Sequence, residues 1–116
     1  MSASSAFART PLPPYYAVIF TSQRADGDSG YAAMSERMVN LGTRYPGFLG
    51  IESVRNEQGV GITVRYWRDE ASILAWKRDT EHEKAQQGGQ KTWYEHYEVR
   101  VAKVERAYRF DRAATA

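Results

Sequence analysis

The chain has 116 residues, 42% of them hydrophobic and 26% charged, which suits one globular domain with its own core and excludes a disordered segment. Sixteen basic against 14 acidic residues leave a net charge of +2 with no basic run, so no nucleic-acid partner is expected. Cysteine is absent, which excludes disulfides, a thiol nucleophile and cysteine-based metal sites and fits a cytoplasmic location, and no apolar run is long enough to span a bilayer.

Residues 1–14 carry Pro11, Pro13 and Pro14 and lack the apolar stretch of a secretory signal, so they read as an extended, flexible lead-in. The folded unit is expected over 15–110, with 111–116 as a flexible tail. "YYAVIFTS" (15–22) is dense in β-branched and aromatic residues and reads as the first strand. Tyr16, Val18 and Phe20 share one face, and Tyr15, Ala17 and Ile19 the other, so both faces are apolar.

After a turn-rich stretch, Asp28 or Ser29 is placed to cap a helix. Tyr31, Met34, Met38, Leu41 and Tyr45 form its apolar stripe, and Pro46-Gly47 ends it. "FLGIESVR" reads as the second strand, with Leu49 and Ile51 on one face and Phe48, Glu52 and Val54 on the other. "NEQG" is a hairpin turn, and "GITVRYW" follows as the third strand.

Asp69 caps the second helix, on which Ile73 and Trp76 fall on one side. Asp79-Thr80, with Glu83 completing a capping-box pattern, predicts a break and a second helical piece up to Gln87. Gly88-Gly89 stops it. The last strand is expected over 97–110. Its apolar parity changes near Ala102-Lys103, which predicts a bulge there.

The order β-α-β-β-α-β is the ferredoxin-like arrangement, an α+β fold with an antiparallel four-stranded sheet and both helices on one face. Two helices cover only that face. The opposite face is rich in apolar residues, which predicts a homodimer through the open sheet face.

With those elements placed, "YPGFLGIESVRNEQGVGITVRYWRDEASILAWKRDTEHEKAQQGG" resembles the antibiotic biosynthesis monooxygenase family of dimeric α+β barrels. The matching pieces are Pro46-Gly47-Phe48-Leu49-Gly50, Tyr66-Trp67, Ala75-Trp76, and Glu81-His82 followed by Gln86 and Gly88. "WYEHY" leading into "EVRVAKVE" matches as well. The resemblance implies two sheets packed face to face and a pocket between sheet and helices in each protomer. It also implies a cofactor-independent monooxygenase acting on a small aromatic or quinol-like substrate. Many members have no established activity, which leaves a non-catalytic dimeric domain that binds a small hydrophobic ligand as the alternative, and related members bind haem and open its ring. No cofactor and no metal is expected here. Against haem degradation, "YAVIFTSQR" holds no Asn, and Trp76 and His82 are six residues apart, ~240° of rotation on an unbroken helix.

His82 and Trp76 are the candidate catalytic residues, as base and as pocket wall or electron conduit. Each also has a structural role, Trp76 as a core anchor and His82 as a helix-start histidine. Tyr16, Phe20, Tyr66 and Trp67 are candidate substrate-binding or interface aromatics. His96, between Glu95 and Tyr97, reads as solvent-facing. Arg65 needs a partner if its face is buried: Glu52 on the adjoining hairpin strand, or an anionic or quinone-like ligand, with the ion pair preferred.

Overall fold

A computed structural model describes residues 6–27, 31–87 and 93–112, except that the side chains of 81–87 are outside it. The elements are β1 (Tyr15–Arg24), α1 (Tyr31–Thr43), β2 (Phe48–Arg55), β3 (Val60–Trp67), α2 (Glu70–Gln87) and β4 (Tyr94–Val104). The strands form one antiparallel sheet in the order β2-β3-β1-β4, and both helices pack on one of its faces, as the element order predicts.

Cross-strand pairing assigns the faces, because residues opposite each other in an antiparallel pair point the same way. Tyr16 pairs with Trp67, Val18 with Arg65, Phe20 with Thr63 and Ser22 with Gly61 on the helix side. Ala17 with Tyr66 and Ile19 with Val64 lie on the other. Tyr15 alternates with Tyr16 and shares that other side.

The turns form for local reasons. At the β2–β3 hairpin the Asn56 side-chain oxygen accepts from the amides of Gln58 and Val60, at 3.0 and 2.9 Å, and Gly59 takes φ +85°. Asp69 caps α2 as expected, accepting from the Ser72 amide and hydroxyl at 2.8 and 2.7 Å. Those two bonds hold its carboxyl below the usual range. The predicted cap of α1 at Asp28 or Ser29 lies outside the described residues.

Three expectations are corrected. First, α2 runs unbroken through Asp79-Thr80. The Thr80 hydroxyl donates back to the Lys77 carbonyl at 3.0 Å, so it bonds within the helix instead of capping a new one. Second, β4 pairs in regular register through Ala102 and Lys103 and ends at Val104, so the predicted bulge does not form there. Its irregularity lies at Glu95, where the pairing shifts between Gln23–His96 and Arg24–Tyr94. Third, a bulge between Phe48 and Gly50 shifts the β2 register, so that Phe48 sits opposite Trp67 on the helix side instead of sharing a face with Val54.

The core has two clusters under the helices. One joins Val18, Trp67 and Ile73, with Tyr16, Tyr45, Phe48 and Trp76 against them. The other joins Met34, Met38 and Trp93, with Tyr31, Leu41 and Tyr94. The predicted methionine stripe of α1 is therefore its buried face.

On the opposite face, part of the lead-in is docked. The Ala8 amide donates to Glu52 Oε2 at 2.9 Å, and the Thr10 hydroxyl donates to Tyr15 Oη at 3.0 Å. Tyr15 and Ala17 are buried, whereas Val54 and Ile62 of the same face stay exposed.

Candidate functional site

The space between sheet and helices is walled by rings. Trp67 is fully buried, and its ring meets Phe48 and Tyr45 edge-on, with centroids at 5.4 and 6.4 Å. Trp76, from the middle of α2, lies tilted against Trp67 with centroids 5.6 Å apart. Ile73 one turn earlier fixes the approach of α2 to this cluster. The Tyr45 hydroxyl donates to Asp79, and burial together with this carboxylate pushes the phenol up to about 12.

Arg65 projects from β3 to the same side. Its guanidinium carbon lies 4.8 Å from the centre of the Trp76 ring, a cation–π contact. The ion pair with Glu52 does not form, because the two residues stand on opposite faces. Glu52 is opposite Val64, and its carboxylate accepts from the Tyr66 hydroxyl at 2.7 Å and from the Ala8 amide. No carboxylate among the described residues pairs with Arg65. Burial brings its pKa down to about 10, with Tyr94 and Tyr31 acting in the opposite sense. It therefore stays charged at neutral pH.

Three buried donors here have no hydrogen-bond acceptor: Arg65 Nε, Trp67 Nε1 and Trp76 Nε1. Gly42 of α1 lies beside two of them. A Cβ at Gly42 would stand 3.1 Å from Trp76 Nε1 and 3.9 Å from Arg65 Nε. Glycine inside a helix costs about 1 kcal/mol against alanine. At Gly42 it lets the Trp76 indole N–H and Arg65 Nε pack close against the α1 backbone.

Phe20 faces the second cluster, with ring centroids 5.4 Å from Tyr94 and 5.3 Å from Tyr97. The polar groups of that cluster are matched. Arg55 lies across Gly61 to donate to the buried Ser22 hydroxyl at 2.9 Å, and its second nitrogen bonds the Gly59 carbonyl. Arg24 stacks on Tyr31 at 3.5 Å and donates to the Trp93 and Gly27 carbonyls at 3.3 and 2.8 Å. Burial would raise Tyr31, but its bond to Tyr94 and the charge of Arg55 bring it below the usual tyrosine value; burial and the same bond push Tyr94 up.

The structure thus brings Trp76, Trp67 and Tyr16 together, with Phe20 further along the same face. Tyr66 is separated from them, on the opposite face, bonded to Glu52 and edge-on to Tyr15 at 5.8 Å. His82 lies on α2, but its side chain is outside the described residues. On this unbroken helix the ~240° between positions 76 and 82 stands. His96 is exposed and bonded to Glu98 at 3.0 Å. Arg65 as an unpaired cation, Gly42 and Tyr94 were not among the candidates that sequence reasoning favoured. The one signal available for Gly42 was a glycine beside Leu41 within the helical stripe. Among the described residues no cluster of acidic and histidine side chains could hold a metal ion, and no helix is long and apolar enough to cross a membrane.

The sequence profile of the antibiotic biosynthesis monooxygenase family matches residues 14–88. The chain is 54% identical over 99 residues to YqjZ, an uncharacterised protein of Bacillus subtilis, covering 85% of this chain and 87% of that one. Among solved structures it resembles SnoaB of Streptomyces nogalater, a cofactor-independent oxygenase. That match has a TM-score of 0.67 and 10% identity over 82% of this chain and 97% of the other. A protein of Shewanella oneidensis is also similar, with a TM-score of 0.64 and 12% identity over 84% and 98% of the two chains.

Proposed function

This chain belongs to the antibiotic biosynthesis monooxygenase family, and from that premise we propose that it is a cofactor-independent monooxygenase of a small aromatic or quinol-like substrate, acting as a homodimer. The observation that carries the reading is the ring-walled interior around Trp67 and Trp76, where buried N–H donors face no acceptor. A flat, oxygen-bearing substrate suits both the walls and the donors.

Without a cofactor, the substrate itself reduces oxygen. A base removes a proton from an activated methylene or phenol, and the resulting anion passes an electron to dioxygen. Radical recombination forms a C–O bond, and the protonated hydroperoxide loses water to leave a carbonyl. For a methylene group the balance is one dioxygen consumed, one carbonyl formed and one water released. One oxygen atom stays in the carbonyl, and the other leaves in the water with the two methylene hydrogens. The protein contributes orientation, exclusion of water and stabilisation of the anion. In this reading Trp76, Trp67, Tyr16 and Phe20 line the substrate space, and His82, ~120° round the unbroken α2 from Trp76, is the base at its edge. Tyr66 belongs instead to the opposite face, where exposed Val54 and Ile62 support burial against a second copy.

The test is oxygen uptake with dithranol, an anthrone. Turnover is expected in the wild type and a loss of at least about tenfold in Trp76→Phe and in His82→Ala, since a general base is worth roughly 100-fold or more. No uptake over a broad panel of anthrones and quinols by the folded dimer would overturn the enzymatic reading. A monomer in light scattering would overturn the dimer.

A further inference from the structure

Arg65 is a half-buried cation whose Nε is fully buried, and no carboxylate among the described residues pairs with it. A desolvated charge without a counter-charge and a buried donor without an acceptor both count against the folded state. The groups that face Arg65 from the neighbouring elements are neutral: Tyr31 of α1, Tyr94 of β4 and the Trp76 ring of α2. Two more buried donors, Trp67 Nε1 and Trp76 Nε1, lack acceptors in the same ring cluster, and the missing side chain of Gly42 lets Trp76 Nε1 and Arg65 Nε approach α1 together. All three are obligate donors, since neither guanidinium nor indole accepts a hydrogen bond. A core that only had to pack would be served by a neutral side chain at position 65.

We propose that Arg65 is the specificity-determining residue of this pocket and that it takes the anionic oxygen of a flat aromatic ligand, flanked by the indole N–H groups of Trp76 and Trp67. The proposal rests on the oxygenase reading only in seating the ligand between sheet and helices. It adds a requirement that reading lacks: the ligand is negatively charged when it binds, as a carboxylate or as a phenolate or enolate. Arg65 touches the ligand oxygen but moves no proton, so it sets affinity and orientation, while the base is elsewhere.

The experiment is calorimetric titration of the purified full chain at neutral pH with 2-naphthoate and with its uncharged analogue 2-naphthamide. Naphthoate is expected to bind about tenfold or more tightly, the worth of one charge-assisted hydrogen bond. Arg65→Met should erase that preference by weakening naphthoate alone, and Arg65→Lys should keep part of it. Titration with 2,4-dinitro-1-naphtholate separates the two anion types: the tighter of the two anions names the class. Equal affinity of the wild type for naphthoate and naphthamide, binding of neither, or an undiminished preference in Arg65→Met would overturn the proposal. The wild-type comparison decides by itself should a variant fail to fold. The two readings fail separately. Naphthoate preference without dithranol turnover removes the oxygenase and keeps the anion site; turnover without the preference does the reverse.

Discussion

Arg55 and Arg65 stand on neighbouring strands, both on the helix side of the sheet, and their surroundings differ sharply. Arg55 lies flat over Gly61, with its nitrogens on the Ser22 hydroxyl and the Gly59 carbonyl. Its companion Arg24 is likewise bonded to two carbonyls while stacked on Tyr31. Arg65 has the Trp76 ring and no acceptor for Nε. One end of the layer is a finished polar network whose members hold each other and close the fold. The other end holds three buried donors that have no acceptor. Proteins seldom leave buried polar groups unmatched, so the unfinished end is where a ligand is expected.

The sharpest way to break this contrast is to remove the ring on which the unfinished end is built. Trp67→Ala is expected to destabilise by about 3–5 kcal/mol in urea unfolding, because a fully buried indole leaves a cavity. Trp67→Phe should keep more of the fold. The next effect in size belongs to the finished network. Arg55→Met is expected to cost about 1–2 kcal/mol, since it strips the buried Ser22 hydroxyl of its partner, and to leave naphthoate affinity unchanged. Arg65→Met should fall within about 1 kcal/mol of wild type or gain stability, because an unpaired, half-buried charge is removed.

A pH titration sharpens the comparison further. Arg65 keeps its proton up to about pH 10, so naphthoate affinity is expected to be flat through neutrality and to fall as pH rises through 10. The sign follows from the charge: the anion loses its partner when the guanidinium deprotonates. Naphthamide affinity should not follow that fall. The smallest effect is at His96, exposed and bonded to Glu98. His96→Gln is expected to change stability by less than about 0.5 kcal/mol.

Much of the fold was legible because its signals are periodic and local. The spacing of Met34, Met38 and Leu41 marks the buried side of α1, and Asn56 with Gly59 marks the hairpin. The misreadings share a cause, which is that the deciding partner is distant in sequence or offers a second local solution. Asp79-Thr80 has the letters of a cap, yet Thr80 satisfies its hydroxyl on the preceding turn and the helix continues. Strict alternation put Phe48 with Val54, but a one-residue bulge moved it under Trp67. The parity break in the last strand was real in the sequence, but the strand stops at Val104 and Tyr108 and Phe110 lie beyond it.

For the site, the aromatic wall was visible in Trp67 and Trp76, and the cation was visible in Arg65. What sequence could not supply was the face of Glu52. It sits opposite Val64, so the expected ion pair is replaced by a bond to Tyr66 and one to the lead-in amide of Ala8. That single displacement turns Arg65 from half of a structural pair into a free cation in a ring-walled space. It also explains why Tyr66, adjacent to Trp67 in sequence, serves the other side of the sheet.

Thermal melts of the wild type, Arg55→Met and Arg65→Met, each with and without saturating 2-naphthoate, read stability and binding together. The account predicts that Arg55→Met melts lower but is raised by naphthoate as much as the wild type. It predicts that Arg65→Met melts at or above the wild-type temperature and is raised by naphthoate far less than the wild type. An Arg65→Met protein that melts well below wild type yet still responds fully to naphthoate would contradict it, because the cation would then hold the fold and not the ligand.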